Sequence, residues 1–204
     1  MKLYKVEEIE KVKDDLLNGD IVAFGTDTVF GLACVYDNLE AIKKIYVAKN
    51  REPKKALPMM CSNIKMIEEV AYVDDRARKI MNKYMPGAIT IIFKKKDIID
   101  DFVTSGLDTI GIRVPDDKFI LNLIDMVGKP LLVTSANMSH EPALFKWIDV
   151  KEKLDGRIDG VVLKDAIGYM SSTIVDCSNK DIKILREGPI LKEDIFELIK
   201  EEEC

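Results

Sequence analysis

The chain has 204 residues, of which 47% are hydrophobic and 33% charged, a composition that excludes intrinsic disorder and is typical of a globular domain. The formal net charge of −5 excludes a basic field over the whole molecule, so binding of a polyanion would need a local basic patch. No apolar run approaches the roughly 18 residues that span a bilayer, and the N-terminus lacks an apolar signal segment, which together predict a cytoplasmic protein without a membrane segment.

The apolar pattern predicts one domain over residues 1–204. In chain order, we expect a helix over VEEIEKVKDDLLNG, a strand over IVAF, a helix over NLEAIKKIYVAK and a short strand over LPMMC. The helices NIKMIEEV and DDRARKIMNKYM precede the strands AITIIF and TIGIRV, and the helix KFILNLIDMVG precedes the strand PLLVT. GVVL, STIVDC and IKILR are predicted as strands, followed by the helix KEDIFELIK. This alternation predicts an α/β fold with a mixed parallel and antiparallel sheet, the late strands pairing antiparallel.

Polar side chains interrupt or follow several predicted strands, where ligands collect in open α/β sheets. Thr26, Asp27 and Thr28 follow IVAF, and two interpretations stay open for them: a turn that bonds to itself, or a site for a carboxylate. Ser135 and Asn137 crowd the exit of PLLVT, as a polar turn or as donors to phosphate oxygens. Each signal is weak by itself.

Basic residues are concentrated in one segment and one strand. From Lys49 to Lys55 four basic residues and one acidic residue give a local charge of +3. In an extended segment Lys49 and Arg51 would project to the same side and suit a polyphosphate, although a solvated loop has the same composition. Arg113 lies inside an apolar strand, where it needs either a buried ion pair or an anionic ligand.

The chain offers few residues for acid–base, nucleophilic or metal chemistry. The four cysteines are far apart, which predicts reduced, buried thiols, and His140 as the single histidine excludes a multi-histidine metal site. A further polar group, Ser172 and Thr173, opens a late strand, and Arg186 closes the next one. Anion-binding residues without a nucleophile favour phosphoryl or nucleotidyl chemistry, and the usual P-loop and dinucleotide glycine motifs are missing.

Seven ordered segments resemble the YrdC-type threonylcarbamoyl-AMP synthases, from about Asp20 to Gly188. They are TDTVFGLAC, KNREPKKAL, MPGAITIIF, TIGIRVP, PLLVTSAN, SSTIVD and ILREG. The resemblance implies a twisted mixed sheet with a concave basic groove, in the single-domain form of the family. It also implies that L-threonine, bicarbonate and ATP with Mg²⁺ give threonylcarbamoyl-AMP and pyrophosphate. A downstream transferase would then modify tRNA.

The resemblance assigns roles to particular residues, and it includes no protein metal site. The catalytic signatures fall on Lys49, Arg51, Ser135 and Asn137. The ATP-binding residues would be Lys49, Arg51, Lys55, Thr109, Ser135, Asn137 and Arg186. The threonine-binding residues would be Thr26, Thr28, Arg113, Ser172 and Thr173.

The chain departs from the family pattern at Gly25, Phe30, Met60 and His140, mainly around the expected amino-acid pocket. A paralogue of the same fold that binds tRNA or double-stranded RNA without synthase activity is therefore the alternative. A groove selective for ATP should bind it in moderate salt, whereas a phosphate-backbone binder should lose affinity steeply as salt rises.

Overall fold

The structure is a computed structural model that describes residues 1–200, and in that range it contains one mixed β-sheet with helices on both faces. The strands are Lys2–Tyr4 (β1), Val22–Gly25 (β2), Phe30–Val35 (β3), Met59–Met60 (β4), Ala71–Tyr72 (β5), Ile89–Lys95 (β6), Thr109–Arg113 (β7), Leu131–Ser135 (β8), Gly160–Val162 (β9), Thr173–Asp176 (β10) and Lys183–Arg186 (β11). The α-helices are Ile9–Leu17 (α1), Leu39–Lys49 (α2), Ile64–Val70 (α3), Asp75–Tyr84 (α4), Lys118–Val127 (α5), Trp147–Leu154 (α6) and Lys192–Lys200 (α7). The predicted α/β class and mixed sheet are confirmed.

Strand order in the sheet is β1-β9-β2-β3-β8-β4-β7-β6-β10-β11, with β5 pairing on β6. The expected antiparallel pairing of late strands is confirmed for β10 with β11. It is wrong for β9, which runs parallel to both β1 and β2, and β10 also runs parallel to β6. The local sequence could not predict the parallel pairing of β9, because its partner strands lie more than 130 residues earlier in the chain.

Helix ends follow the local sequence. The side chain of Asn38 accepts the Ala41 N–H at 3.0 Å at the start of α2, which confirms the predicted beginning of that helix. Gly128 ends α5 in the left-handed conformation, φ 71°. Leu39, the first residue of α2, is 40% exposed. Helix α6 and strands β1, β3 and β5 were not predicted. None of the helices within residues 1–200 is long and apolar enough to cross a membrane.

The two faces of the sheet are covered unequally, and this positions the site. One face packs against α2, α3, α4, α6 and α7 in the larger apolar cluster. The other packs against α1 and α5, but that cluster takes its sheet residues from β1, β2, β3, β4, β8 and β9. Side chains of β6, β7 and β10 on this second face line an open cavity instead. The three buried cysteines, at 34, 61 and 177, are free thiols as predicted, and Cys204 lies outside the described residues.

Candidate active site

The cavity has a volume of about 380 Å³, within the roughly 300–1,000 Å³ typical of ligand pockets. Its floor is the uncovered sheet face and includes Gly31, Val133, Gly111, Ile92 and Ile174. A Cβ on Gly31 would lie 2.7 Å from Val133 Cγ1, so glycine keeps the floor flat at this point. The cavity therefore exists because helices stop short of these strands and small residues leave space above them.

Three arginines line the cavity, and none of its lining residues within 1–200 is acidic. Arg51 donates to the carbonyl oxygens of loop residues 55–56, each at 3.1 Å, and Arg186 Nε donates to the Ser172 carbonyl at 3.0 Å. Burial lowers the pKa of both guanidinium groups, yet arginine stays charged in proteins. Together with Arg113 they form a cationic lining held in place by protein groups before any ligand binds.

Arg113 lies at the inner end of the cavity, 4% exposed. Its Nε donates to the Gly87 carbonyl at 2.9 Å, its Nη1 donates to Thr28 Oγ1 at 2.7 Å, and its Nη2 forms an ion pair with Asp27 at 2.5 Å. Burial lowers the pKa of Arg113, and the Asp27 carboxylate acts against that shift. Nε and Nη1 each donate one N–H, while the buried Nη2 lies against the Asp27 carboxylate without a hydrogen-bond acceptor, so N–H groups of the guanidinium remain unpaired within the described structure. The buried ion pair expected for Arg113 is thus present and the residue also lines the cavity, while the binding of an anionic ligand stays a prediction.

The Thr26–Thr28 segment is also both a self-bonded turn and a wall of the cavity. Thr26 Oγ1 donates to the Val29 carbonyl at 2.7 Å, accepts the Thr28 N–H at 3.0 Å and lies 3.0 Å from Thr28 Oγ1. Because the single hydroxyl proton of Thr26 goes to Val29, the Thr28 hydroxyl is the donor between the two threonines. Thr28 Oγ1 also accepts from Arg113, so one of its lone pairs stays available to a ligand.

Lys49 lies behind the cavity rather than in its lining. It is the last residue of α2, and Asn50 turns the chain in the left-handed conformation, φ 52°, so the extended segment expected for Lys49 and Arg51 is wrong. Lys49 is 1% exposed, and its Nζ donates to both carbonyl-type oxygens of Asn137, at 2.5 and 3.2 Å, and to the Ser135 carbonyl. Burial lowers the pKa of Lys49 to about 8, and the positive charge of Arg51 contributes a smaller lowering.

Eight of the sequence-assigned residues lie together in the lining: Thr26, Thr28, Arg51, Thr109, Arg113, Ser135, Ser172 and Arg186. Asn137 is buried next to Ser135, whose Oγ donates to Asn137 Oδ1 at 2.5 Å. Thr173 is fully buried outside the lining, and its hydroxyl donates to the Ile190 carbonyl at 2.7 Å. Lys55 is exposed outside the lining, 3.6 Å from Glu52.

Sequence reasoning missed two features of the site. Asp27 was noted in the turn but not as the partner of Arg113; a buried arginine requires an acid, although only the fold identifies which one. The apolar wall formed by Met60 and Val133 was not predicted: Met60 was noted only as a departure from the family pattern near the expected amino-acid pocket, and apolar residues in strands are expected to serve the core.

The loop from 163 to 172 packs directly on the Thr26–Thr28 segment. The Ile167 N–H donates to the Thr26 carbonyl at 3.0 Å. A Cβ on Gly168 would lie 2.3 Å from the Thr28 carbonyl oxygen and 2.5 Å from that of Asp27. The neighbouring backbone thus requires glycine at this position.

Gly168→Ala is expected to lower the free energy of unfolding by about 1–3 kcal/mol, because backbone on both sides must move to admit the methyl group. Ile167→Ala serves as the control on the same loop, since Ile167 is 73% exposed, and should stay within about 0.5 kcal/mol. Urea unfolding of both variants measures the effect, and equal stabilities would contradict the close packing described.

Comparison with known proteins identifies relatives over most of the chain. A family model described as Sua5_yciO_yrdC, telomere recombination, matches residues 14–188. The threonylcarbamoyl-AMP synthase of Bacillus subtilis is 37% identical over 187 residues, 90% of this chain and 54% of that protein. A putative threonylcarbamoyl-AMP synthase of Methanocaldococcus jannaschii is 36% identical over 197 residues, 93% of each chain. This chain thus spans about half the length of the first relative and nearly all of the second.

Solved structures share the fold. Sua5 of P. abyssi, crystallised with L-threonine, matches with a TM-score of 0.90 and 27% identity, covering 98% of this chain and 61% of that one. E. coli YciO matches with a TM-score of 0.85 and 21% identity, covering 93% and 97% of the two chains. At its lower identity the YciO match supports the fold alone.

Proposed function

This chain belongs to the Sua5/YciO/YrdC family, and from that premise we propose that it forms threonylcarbamoyl-AMP and pyrophosphate from L-threonine, bicarbonate and ATP. One observation carries the proposal. A single cavity holds a buried arginine with unpaired N–H groups, Arg113, together with two further guanidinium groups, Arg51 and Arg186, and no acidic lining residue within 1–200. Such a lining suits two anions held side by side, an amino-acid carboxylate and a polyphosphate.

The proposed chemistry needs no protein nucleophile. The threonine amine and bicarbonate condense to a carbamate with loss of water. A carbamate oxygen then bonds to the α-phosphorus of ATP as the bond from that phosphorus to the leaving pyrophosphate breaks. The protein contributes by holding the two anions together and by neutralising charge on the phosphates, which is how enzymes accelerate most phosphoryl-type transfers.

We assign the ATP half of the cavity to Arg51, Thr109, Ser135 and Arg186, which line it. Lys49 and Asn137 support Ser135 from behind, and the exposed Lys55 adds charge near Arg51. Since the cavity lining within residues 1–200 offers no carboxylate, Mg²⁺ is proposed to arrive as part of the MgATP substrate, coordinated by its phosphates.

We assign the threonine half to Arg113, Thr28, Thr26 and Ser172. Arg113 would bind the carboxylate through its unpaired N–H groups, beside the free lone pair of Thr28. Thr173 would act from outside the lining, by fixing the backbone around residues 188–190 through its hydroxyl. The product would pass to a tRNA threonylcarbamoyl transferase in the cytoplasm.

Pyrophosphate release from ATP, with L-threonine and bicarbonate omitted in turn, tests the proposal. Release is expected to require both, and to fall at least about tenfold in Arg51→Ala, which removes one phosphate-side cation. Lys54→Ala is the matched control, since Lys54 is an exposed cation of the same loop outside the lining. Release that needs neither co-substrate, or salt-sensitive binding of double-stranded RNA without any release, would contradict the proposal and favour the RNA-binding paralogue.

A further inference from the structure

Met60 occupies a position that the assigned roles do not use. Strand β4 lies between β7 and β8, and its register pairs Met60 with Arg113 on one side and Leu131 on the other. Paired residues of neighbouring strands project to the same face of a sheet. Met60 is 7% exposed and lines the cavity, while part of its side chain packs in the cluster under α5. It is therefore the apolar neighbour of the arginine at the inner end of the cavity.

One corner of the cavity has a charged, an apolar and a polar wall, formed by Arg113, by Met60 with Val133, and by Thr28. Val133 lies on the same face as Met60, two residues after the paired Leu131, and also lines the cavity. Thr28 supplies the polar wall, with one lone pair available beside Arg113. Neighbouring strands are about 4.8 Å apart, so a small amino acid whose carboxylate binds Arg113 has its β-carbon within reach of Met60.

We propose that Met60 determines side-chain specificity by packing against the β-methyl group of threonine, which selects threonine over serine. The proposal rests on the proposed function, since it takes Arg113 as the carboxylate site. Threonine presents one methyl group and one hydroxyl group from the same carbon, and the corner offers one apolar wall and one acceptor. Serine would leave the thioether of Met60 facing an unfilled space.

Direct binding of L-threonine and L-serine, measured by calorimetry on the full chain, tests this assignment without needing turnover. The wild type is expected to bind threonine at least about tenfold more tightly than serine, the usual discrimination for one methyl group in an apolar pocket. Met60→Ala should reduce the ratio of threonine affinity to serine affinity to within about threefold, mainly by lowering the affinity for threonine. Met60→Leu should keep the ratio, because leucine restores the apolar surface at similar volume.

Two further measurements separate specificity from damage to the fold. If Met60→Ala disrupts the cluster under α5, Met60→Gln can be used instead, because glutamine keeps the length of the side chain. Met60→Gln should also lower the ratio of threonine affinity to serine affinity, because its amide replaces the apolar surface. Leu107→Ala removes a different apolar side chain of the cavity, 48% exposed, and should leave the ratio unchanged.

The outcomes distinguish this inference from the function on which it rests. The role of Met60 would be overturned if folded Met60→Ala and Met60→Gln bind threonine with an unchanged ratio of threonine affinity to serine affinity. The proposed function would still stand in that case. Failure of threonine to bind the wild type, with ATP still bound, would overturn both. A fall in the ratio confined to the Met60 variants would support the assignment.

Discussion

Replacing Arg113 with methionine is expected to weaken L-threonine binding by roughly a hundredfold or more, about 3 kcal/mol, while ATP binding changes by less than about threefold. The reason is that Arg113 is buried and has unpaired N–H groups that can donate to a carboxylate, which makes the contact a desolvated, charge-assisted one. Calorimetric titration of each ligand separately measures both effects.

The same substitution leaves Asp27 without its counter-ion, and this must be separated from loss of the ligand contact. The Asp27 side chain is 8% exposed, so the single variant should lose about 3 kcal/mol of stability. Asp27→Asn combined with Arg113→Met removes both charges and should recover most of that stability without recovering threonine binding. Threonine binding restored in the double variant would show that Arg113 acts through the fold and not through the ligand.

Affinity for ATP is expected to fall about tenfold between pH 7 and pH 9, because a group with a pKa near 8 goes from about nine-tenths protonated to about one-tenth. That group is Lys49, whose pKa burial lowers to about 8. Its ammonium supplies three N–H groups to three oxygens of Ser135 and Asn137, whereas the neutral amine has two and turns a lone pair towards an oxygen. Loss of the proton should therefore release the turn that places Ser135 in the cavity.

Lys49→Arg is the informative variant for this pH dependence, since its charge persists across the range. Its ATP affinity should stay level from pH 7 to pH 9, and Lys54→Ala should keep the wild-type decline. The same burial makes protonated Lys49 costly in the folded state. Its contribution to the free energy of unfolding should thus rise as the pH increases from about 8 towards 10.5, the opposite direction from ATP affinity. A wild type whose affinity is level with pH would contradict the role of Lys49.

Local signals predicted every α-helix within residues 1–200 except α6, and most strands, because caps and apolar spacing act within a few residues. Asn38 and Gly128 illustrate this, the one beginning α2 and the other ending α5. Strand pairing depends on segments far apart in the chain, so the parallel neighbours of β9 had no local signal.

The sequence predicted which residue types belong to the site better than it predicted how they are arranged in space. Arg113 inside an apolar strand required a partner, and the sequence placed Thr26 and Thr28 in the site but did not identify Asp27 as that partner. Lys49 was expected beside Arg51, but α2 continues through Lys49, and the left-handed Asn50 sends the two side chains to different surroundings. The resemblance supplied the residues, and the fold decides which of them face the cavity: α2 packs against β3, and its last residue, Lys49, contacts the Ser135 carbonyl from behind the lining.

The cavity lining is drawn from residues 26 to 186, and its floor crosses β3, β8, β4, β7, β6 and β10. Within residues 1–200 no short segment contains the whole lining, so the ability to bind ligand arises only when these distant strands have paired. Folding of such a non-local sheet is slow compared with helix formation. Recovery of threonine or ATP binding should consequently follow the last cooperative step of refolding, and a bound ligand should slow amide exchange across the whole sheet rather than in one loop.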